Sequence, residues 1–255
     1  MKNASNKTIW IILPIVLFSL FSCASRQHEE TESRDAEFYY SRGTVFFKKG
    51  QYDEAVSQYN KVLEINPRYA DAYVARGLAN KEKGRYDQAI SDYSKALEIN
   101  TMYADAYASR GFAYYKKGQY DQAILDFNKA LEINPMYVEV YFDRGLAYYR
   151  TGLYDQALSD YNKALEINPR LADAYVSLGT VYNKKGLYDQ AILNYSKALE
   201  INPRDALAYY NRGVAYYNQR QYDRSWDDIQ KAQDLGHKVS PKFLDDLRKA
   251  LRRKK

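Results

Sequence analysis

The sequence predicts an all-α repeat protein: an α-solenoid of six helix-turn-helix units closed by one further helix. Two observations predict it. A block of 34 residues recurs six times without a gap, at 36–69, 70–103, 104–137, 138–171, 172–205 and 206–239, and a period of this length marks stacked supersecondary units. Within each block, apolar, aromatic and small residues fall at unit positions 4, 8 and 11, then at 17, 20, 24, 27 and 28. Spacings of three and four describe two amphipathic helices.

In chain order, the first segment is a leader, 1–22. Lys2 and Lys7 precede an apolar run at 9–21 broken only by Pro14 and Ser19, too short for a comfortable membrane span and patterned as a secretory signal. The single cysteine, Cys23, follows Leu20, Phe21 and Ser22. This resembles the lipobox of a bacterial lipoprotein, which implies that Cys23 is acylated and becomes the first mature residue. An uncleaved signal anchor is the alternative, and both fix the amino terminus to a membrane. Ala24 and Ser25 place no aspartate after the cysteine, so in a host with two membranes the resemblance implies the periplasmic face of the outer one. One thiol forms no intrachain disulfide, and packing alone must hold the repeats. The lipidated cysteine and polar, aperiodic stretch at 23–35 read as a short tether.

Each unit then follows one plan. Its first helix is expected to stop at position 15, where Gly50, Gly84, Gly118, Gly152 and Gly186 offer a left-handed residue. At position 18, Asp53, Asp87, Asp121, Asp155, Asp189 and Asp223 favour the start of the second helix. Pro67, Pro135, Pro169 and Pro203 end it at position 32, with Thr101 and His237 in the other two units. Glycine at position 8, from Gly43 to Gly213, costs about 1 kcal/mol inside a helix, so packing must require it. The position 20 alanines, such as Ala55 and Ala123, are expected to face it. In 240–255, Ser240 and Pro241 suit the start of a capping helix with Phe243, Leu244, Leu247 and Leu251 on one face. Its basic end serves dipole compensation and solubility, or contacts anionic lipid.

Aromatic at 4, Gly at 8, Tyr at 11, Ala at 20, aromatic at 24, Ala at 27 and Pro at 32 resemble the tetratricopeptide repeat (TPR). The resemblance implies a right-handed solenoid whose concave groove is lined by positions 2, 5, 9, 12 and 13 of the first helices. On that implication, Tyr40, Phe47, Phe112, Tyr115, Phe142, Tyr149, Tyr210 and Tyr217 supply aromatic faces. Glu37, Asp71, Asp105, Glu139 and Asp173 form an acidic row, and Lys48, Lys116, Arg150 and Lys184 a basic one. Such a groove suits an extended or helical peptide; alternatively, some of these aromatics pack between neighbouring repeats. Chaperone-binding members of the family use a carboxylate clamp of Lys, Asn and Arg at positions 5 and 9. Here position 5 is Tyr40, Val74, Ala108, Phe142, Val176 and Tyr210, and position 9 is Thr44, Leu78, Phe112, Leu146, Thr180 and Val214. A chaperone carboxyl terminus is therefore not an expected ligand.

Position 7 carries Arg42, Arg76, Arg110, Arg144 and Arg212, where the family more often has an aliphatic residue. Position 23 carries Gln58, Asp92, Asp126, Asp160, Asn194 and Asp228, and the unit with Leu178 in place of the arginine also lacks the acid. Pairs within units are expected: Arg76 with Asp92, Arg110 with Asp126, Arg144 with Asp160, and Arg212 with Asp228. An anion-binding ladder of arginines is the alternative.

The net charge of +6 is matched by six C-terminal cations alone, Arg248, Lys249 and 252–255, and with Lys2 and Lys7 set aside the rest of the chain is slightly acidic. That excludes a basic nucleic-acid groove. His28 and His237 have no sequence-supported catalytic partner, and no phosphate loop, nucleophile turn or metal-ligand cluster occurs. Neither an enzyme nor a cofactor is expected. The expectation is a membrane-tethered scaffold for protein or peptide partners in the bacterial envelope. The alternative is a structural assembly factor that self-associates or supports a pilus, secretion or cell-wall enzyme complex. Six-repeat envelope lipoproteins that assist pilus or secretin assembly are similar in layout.

Overall fold

The computed structural model describes residues 33–253, and among these it contains thirteen helices and no strand. Helix α1 spans 33–48. The helices that follow alternate as second and first members of successive repeats: α2 (Tyr52–Ile65), α3 (Ala70–Glu82), α4 (Tyr86–Ile99), α5 (Ala104–Lys116), α6 (Tyr120–Ile133), α7 (Val138–Arg150), α8 (Tyr154–Ile167), α9 (Ala172–Lys184), α10 (Tyr188–Ile201), α11 (Ala206–Asn218) and α12 (Tyr222–Asp234). The last is α13 (Pro241–Arg253). The chain divides into two compact units, Met1–Ala113 and Tyr114–Lys255. The fold is an all-α helical-repeat solenoid. No helix among the described residues is long and apolar enough to cross a membrane. The apolar run at 9–21 and Cys23 lie outside the described residues.

Local chemistry accounts for the boundaries. First helices end in a left-handed residue, with φ from 70° to 79° at the five position 15 glycines. The sixth repeat holds Arg220 there at φ 61°, a conformation that costs an L-residue about 1 kcal/mol or more. The second helices α2, α4, α6, α8 and α10 each end on isoleucine, followed by an extended asparagine with φ between −126° and −131°. Proline after four of these asparagines enforces that conformation, yet Asn100 precedes Thr101 and adopts it as well. The side chain explains this: Asn100 Oδ1 accepts the N–H of Met102 at 3.0 Å, as Asn66, Asn134, Asn168 and Asn202 accept the N–H two residues on. Asparagine thus makes the turn, and proline reinforces it.

Packing corrects one expectation. The side chain opposite each position 8 glycine is the one at position 24, not the alanine at position 20. A Cβ on Gly43, Gly77, Gly145 or Gly179 would sit 2.6–2.7 Å from Cε1 of Tyr59, Tyr93, Tyr161 or Tyr195. Those four rings are at most 2% exposed, so none can swing aside. In the sixth repeat Ile229 lies against Gly213, with a wider 3.0 Å clearance. The alanines at position 20 are fully buried beside these rings. Position 3 of the next first helix joins two of these clusters, as Ala106 and Ala174, while Ala72 and Ala208 pack with positions 27 and 28 of the preceding helix, Val62 with Leu63 and Ala198 with Leu199.

Helix α13 starts where Ser240 Oγ accepts the N–H of Phe243 at 3.2 Å. Leu247 is fully buried, and the Arg248 guanidinium lies 5.6 Å from the centre of the Trp226 ring.

Candidate peptide-binding face

The expected groove residues lie on the first helices, and each unit builds its part from the same contacts. In Met1–Ala113, Tyr40 stacks on Tyr69, with centroids 5.4 Å apart and planes 15° apart, and tilts against Tyr59 at 5.7 Å. Burial, with the Asp71 charge second, pushes the Tyr40 hydroxyl up to about 12. The Tyr103 hydroxyl donates to Asp71 Oδ1 at 2.6 Å. Tyr69 and Tyr103 end their units at position 34, so inter-repeat turns add aromatic surface beside the acidic row. Position 34 was readable in the sequence as tyrosine in the first three units but carried no expectation. Phe47 meets Tyr52 edge-on at 5.4 Å, and Lys81 Nζ lies 5.5 Å from the Phe112 ring centre.

In Tyr114–Lys255, position 12 again leans on position 17 of its own repeat. Tyr115 packs on Tyr120, Tyr149 on Tyr154 and Tyr217 on Tyr222, at 5.5, 5.6 and 5.5 Å. The rings of position 12 are therefore braced by position 17 and half-buried. Phe142 tilts on Tyr161 at 5.8 Å. Arg150 Nε donates to Tyr115 Oη at 3.4 Å, and this bond raises the arginine's pKa. Lys116 is exposed in the last turn of α5. Asn183 occupies position 12 of the fifth repeat, and its buried Oδ1 has no hydrogen-bond partner.

Two of the eight aromatics also pack on the C-terminal segment. Tyr210 packs on His237 at 4.4 Å and on Phe243 at 6.3 Å, while Tyr217 packs on Phe243 at 5.2 Å. Phe243 lies near the start of α13 and is half-buried by these rings.

Three of the position 7 arginines, Arg76, Arg144 and Arg212, each bridge three helices. Arg144 gives Nε and Nη2 to Asp160 at 2.8 and 2.7 Å, and Nη1 to Asn128 of the preceding repeat at 2.6 Å. Arg76 does the same with Asp92, at 2.6 Å for the closest contact, and with Asn60; Arg212 binds Asp228 at 2.7 Å and Ser196. Arg110 donates to Ser94 at 2.9 Å, and Asp126 is buried. The reach back to position 25 was missed by the sequence reading, although Asn or Ser stands there in the first five repeats. For Arg144, burial lowers the pKa and the Asp160 bond raises it, with a net rise; burial carries the Asp160 carboxyl up against the pull of the arginine. A pair of this kind orders helices more than it adds net stability. In the fifth repeat Leu178 is buried, and Asn194 turns its amide to the Gln190 carbonyl at 2.8 Å.

Exposed polar rungs add a lesser link between repeats. Asp53 meets Lys83 and Arg85, Asp155 meets Lys185 at 2.6 Å, and Asp189 accepts from Gln219 at 2.6 Å. Such surface pairs contribute on the order of 0–1 kcal/mol. No group of His, Cys, Asp and Glu among the described residues could hold a metal ion.

Fold and face together define a class, the helical-repeat proteins in which paired helices present one face of their first members. A family model described as "TPR repeat" matches 43–84, 81–118, 111–152 and 180–219, and two models described as tetratricopeptide repeats match 138–171 and 160–192. The chain belongs to the tetratricopeptide repeat family. No curated protein matches it. Among solved structures it is similar to MamA, at 32% identity over 64% of this chain and 96% of that one, with a TM-score of 0.61. It is also similar to YrrB, described as a TPR protein with an unusual peptide-binding site, at 26% identity over 70% and 92%, with a TM-score of 0.60. The pilF protein of Pseudomonas aeruginosa shares the fold at 20% identity over 81% and 94%, with a TM-score of 0.70.

Proposed function

We propose that this chain is a membrane-tethered scaffold of the bacterial envelope that recruits protein or peptide partners along its first helices. The observation that carries the reading is the braced aromatic row in Tyr114–Lys255: Tyr115 and Tyr149 each rest on a tyrosine of their own repeat, and Arg150 lies between their repeats on the Tyr115 hydroxyl. Rigid aromatic faces beside a cation lose little conformational entropy on binding and make effective anchors. The peptide-binding site named for YrrB, 26% identical, supports the same mode here. Acylation at Cys23 with the tether at 23–35 would hold the chain at a bilayer, on the periplasmic face of the outer membrane in a host with two membranes. Confinement raises the effective concentration of partners in that layer.

Two variants test the two halves separately. Tyr115→Ala with Tyr149→Ala should lose partner capture from envelope extract while helicity is retained. Capture at the unmodified level would remove the face from the account. Cys23→Ser should abolish the acyl mass and leave 1–22 attached, where the unmodified chain is acylated and shortened; an unmodified chain that is unacylated and keeps 1–22 would favour an uncleaved anchor.

A further inference from the structure

Helix α1 has an open side that the other first helices do not. Its positions 3 and 10 are Phe38 and Val45, 59% and 50% exposed. In the five later repeats these positions are Ala72 and Ala79, Ala106 and Ala113, Val140 and Ala147, Ala174 and Val181, and Ala208 and Ala215, all at most 2% exposed. Small residues there receive the second helix of the repeat before. Among the described residues no second helix precedes the first repeat, and position 3 there is the larger Phe38.

Between Phe38 and Val45 lie Ser41 and Arg42, both exposed. Arg76, Arg144 and Arg212 each bind an aspartate of their own repeat and an Asn or Ser oxygen of the preceding one. Arg42 lacks that setting. Gln58 replaces the acid, its Oε1 is buried with no hydrogen-bond partner, and the guanidinium leans over Phe46 at 5.7 Å from the ring centre. The α1 side thus offers two apolar side chains and one guanidinium lacking the acid and the neighbouring-helix oxygen that its counterparts bind.

We propose that this side of α1 is where two copies of the chain pair, antiparallel, about a two-fold axis passing between Ser41 and Arg42. The face is self-complementary in that register, as an isologous contact requires. Phe38 falls opposite the second copy's Val45, and Arg42 opposite its Ser41. Arginine on a serine oxygen is the pairing this chain already makes between repeats, in Arg110 with Ser94 and Arg212 with Ser196. Farther out, Asp35 approaches the second copy's Lys48. Arg34 and Lys49 come together only at the exposed ends, where like charges are screened. Head-to-tail stacking is disfavoured, because α13 already packs over the last repeat through Phe243 and Leu247. One helix face buries less than the roughly 1,200–2,000 Å² of a standard stable interface. The pair is therefore weak and reversible, and tethering to one surface would favour it. This pairing is independent of the peptide-binding face.

The test uses the full-length chain in detergent. Cys23→Ser removes the only thiol, and Ser41→Cys then places one at the axis. Mild oxidation should give a disulfide-linked dimer, and adding Val45→Arg should cut its yield by about tenfold, the equivalent of 1.4 kcal/mol. Because Val45 is half exposed, the far-UV circular dichroism of that variant should not change. Ser91→Cys, on the exposed surface of α4, serves as the control for random collision. Dimer formation no faster from Ser41→Cys than from Ser91→Cys would overturn the proposal. So would a yield indifferent to Val45→Arg, or a Ser41→Cys adduct formed only with a different protein from envelope extract, which would give the face to a foreign helix.

Discussion

Removing one member of the Arg144–Asp160 pair should cost far more than removing both. The two hydrogen bonds measure 2.8 and 2.7 Å, and the side chains are 18% and 6% exposed. Breaking a buried ion pair from one side costs about 3–5 kcal/mol because the remaining charge is left without its partner. Arg144 retains some access to water and its bond to Asn128, which places Asp160→Asn nearer ~2–3 kcal/mol. Arg144→Leu strands a carboxylate that burial already disfavours, and ~3 kcal/mol is expected. The double variant recreates the fifth repeat, where Leu178 is buried and Asn194 uses the Gln190 carbonyl. It should lie within ~1 kcal/mol of the unmodified chain, giving a coupling energy of several kcal/mol. Urea unfolding followed by far-UV circular dichroism reads this from midpoints and slopes. Single variants each costing under ~0.5 kcal/mol, or a double variant equal to their sum, would refute the reasoning.

Three further outcomes follow from the same geometry. Gly145→Ala places a Cβ 2.6 Å from the buried Tyr161 ring; the overlap, about 1–3 kcal/mol, should outweigh the ~1 kcal/mol gained in helix propensity, and thermal unfolding should occur at lower temperature. Arg220→Gly should instead raise the unfolding temperature, by relieving about 1 kcal/mol at a left-handed, exposed residue. Burial, partly offset by the Thr180 hydrogen bond, lifts the Tyr195 hydroxyl to about 12. A tyrosine raised above its ordinary value of about 10 contributes stability that is full below that pH and lost as pH climbs toward 12. Alkaline unfolding, followed by tyrosinate absorbance and circular dichroism, should fall in that window, and Tyr195→Phe should shift it upward.

Much of the fold was legible because each repeat states it again. Gly50 and its counterparts marked the left-handed stops, and a carboxylate does stand in the first turn of each second helix. Exceptions taught more than the consensus: Leu178 and Asn194, changing together, pointed to a contact between positions 7 and 23. The partner of Gly145 was misread because helix spacing reports which side a residue faces, not which of Ala157 and Tyr161 reaches across. A long ring covers a glycine from one turn away. The contact of Tyr210 and Tyr217 with α13 was illegible for a related reason. Phe243 was read as part of one face of the capping helix, but periodicity does not say which aromatics it would meet. The open side of α1 showed in the sequence only as Phe38 where later repeats have alanine or valine; Val45 matches Val181 in type, and burial alone separates them.

The central claim, that partners dock on the first helices, is tested most directly by a photo-crosslinking residue placed at Tyr149, with the same residue at Ser91 on exposed α4 as reference. In intact cells the account predicts a discrete protein adduct from Tyr149, weakened when Arg150→Glu is added, and none from Ser91. Adducts of equal yield from both positions, or from Ser91 alone, would contradict it.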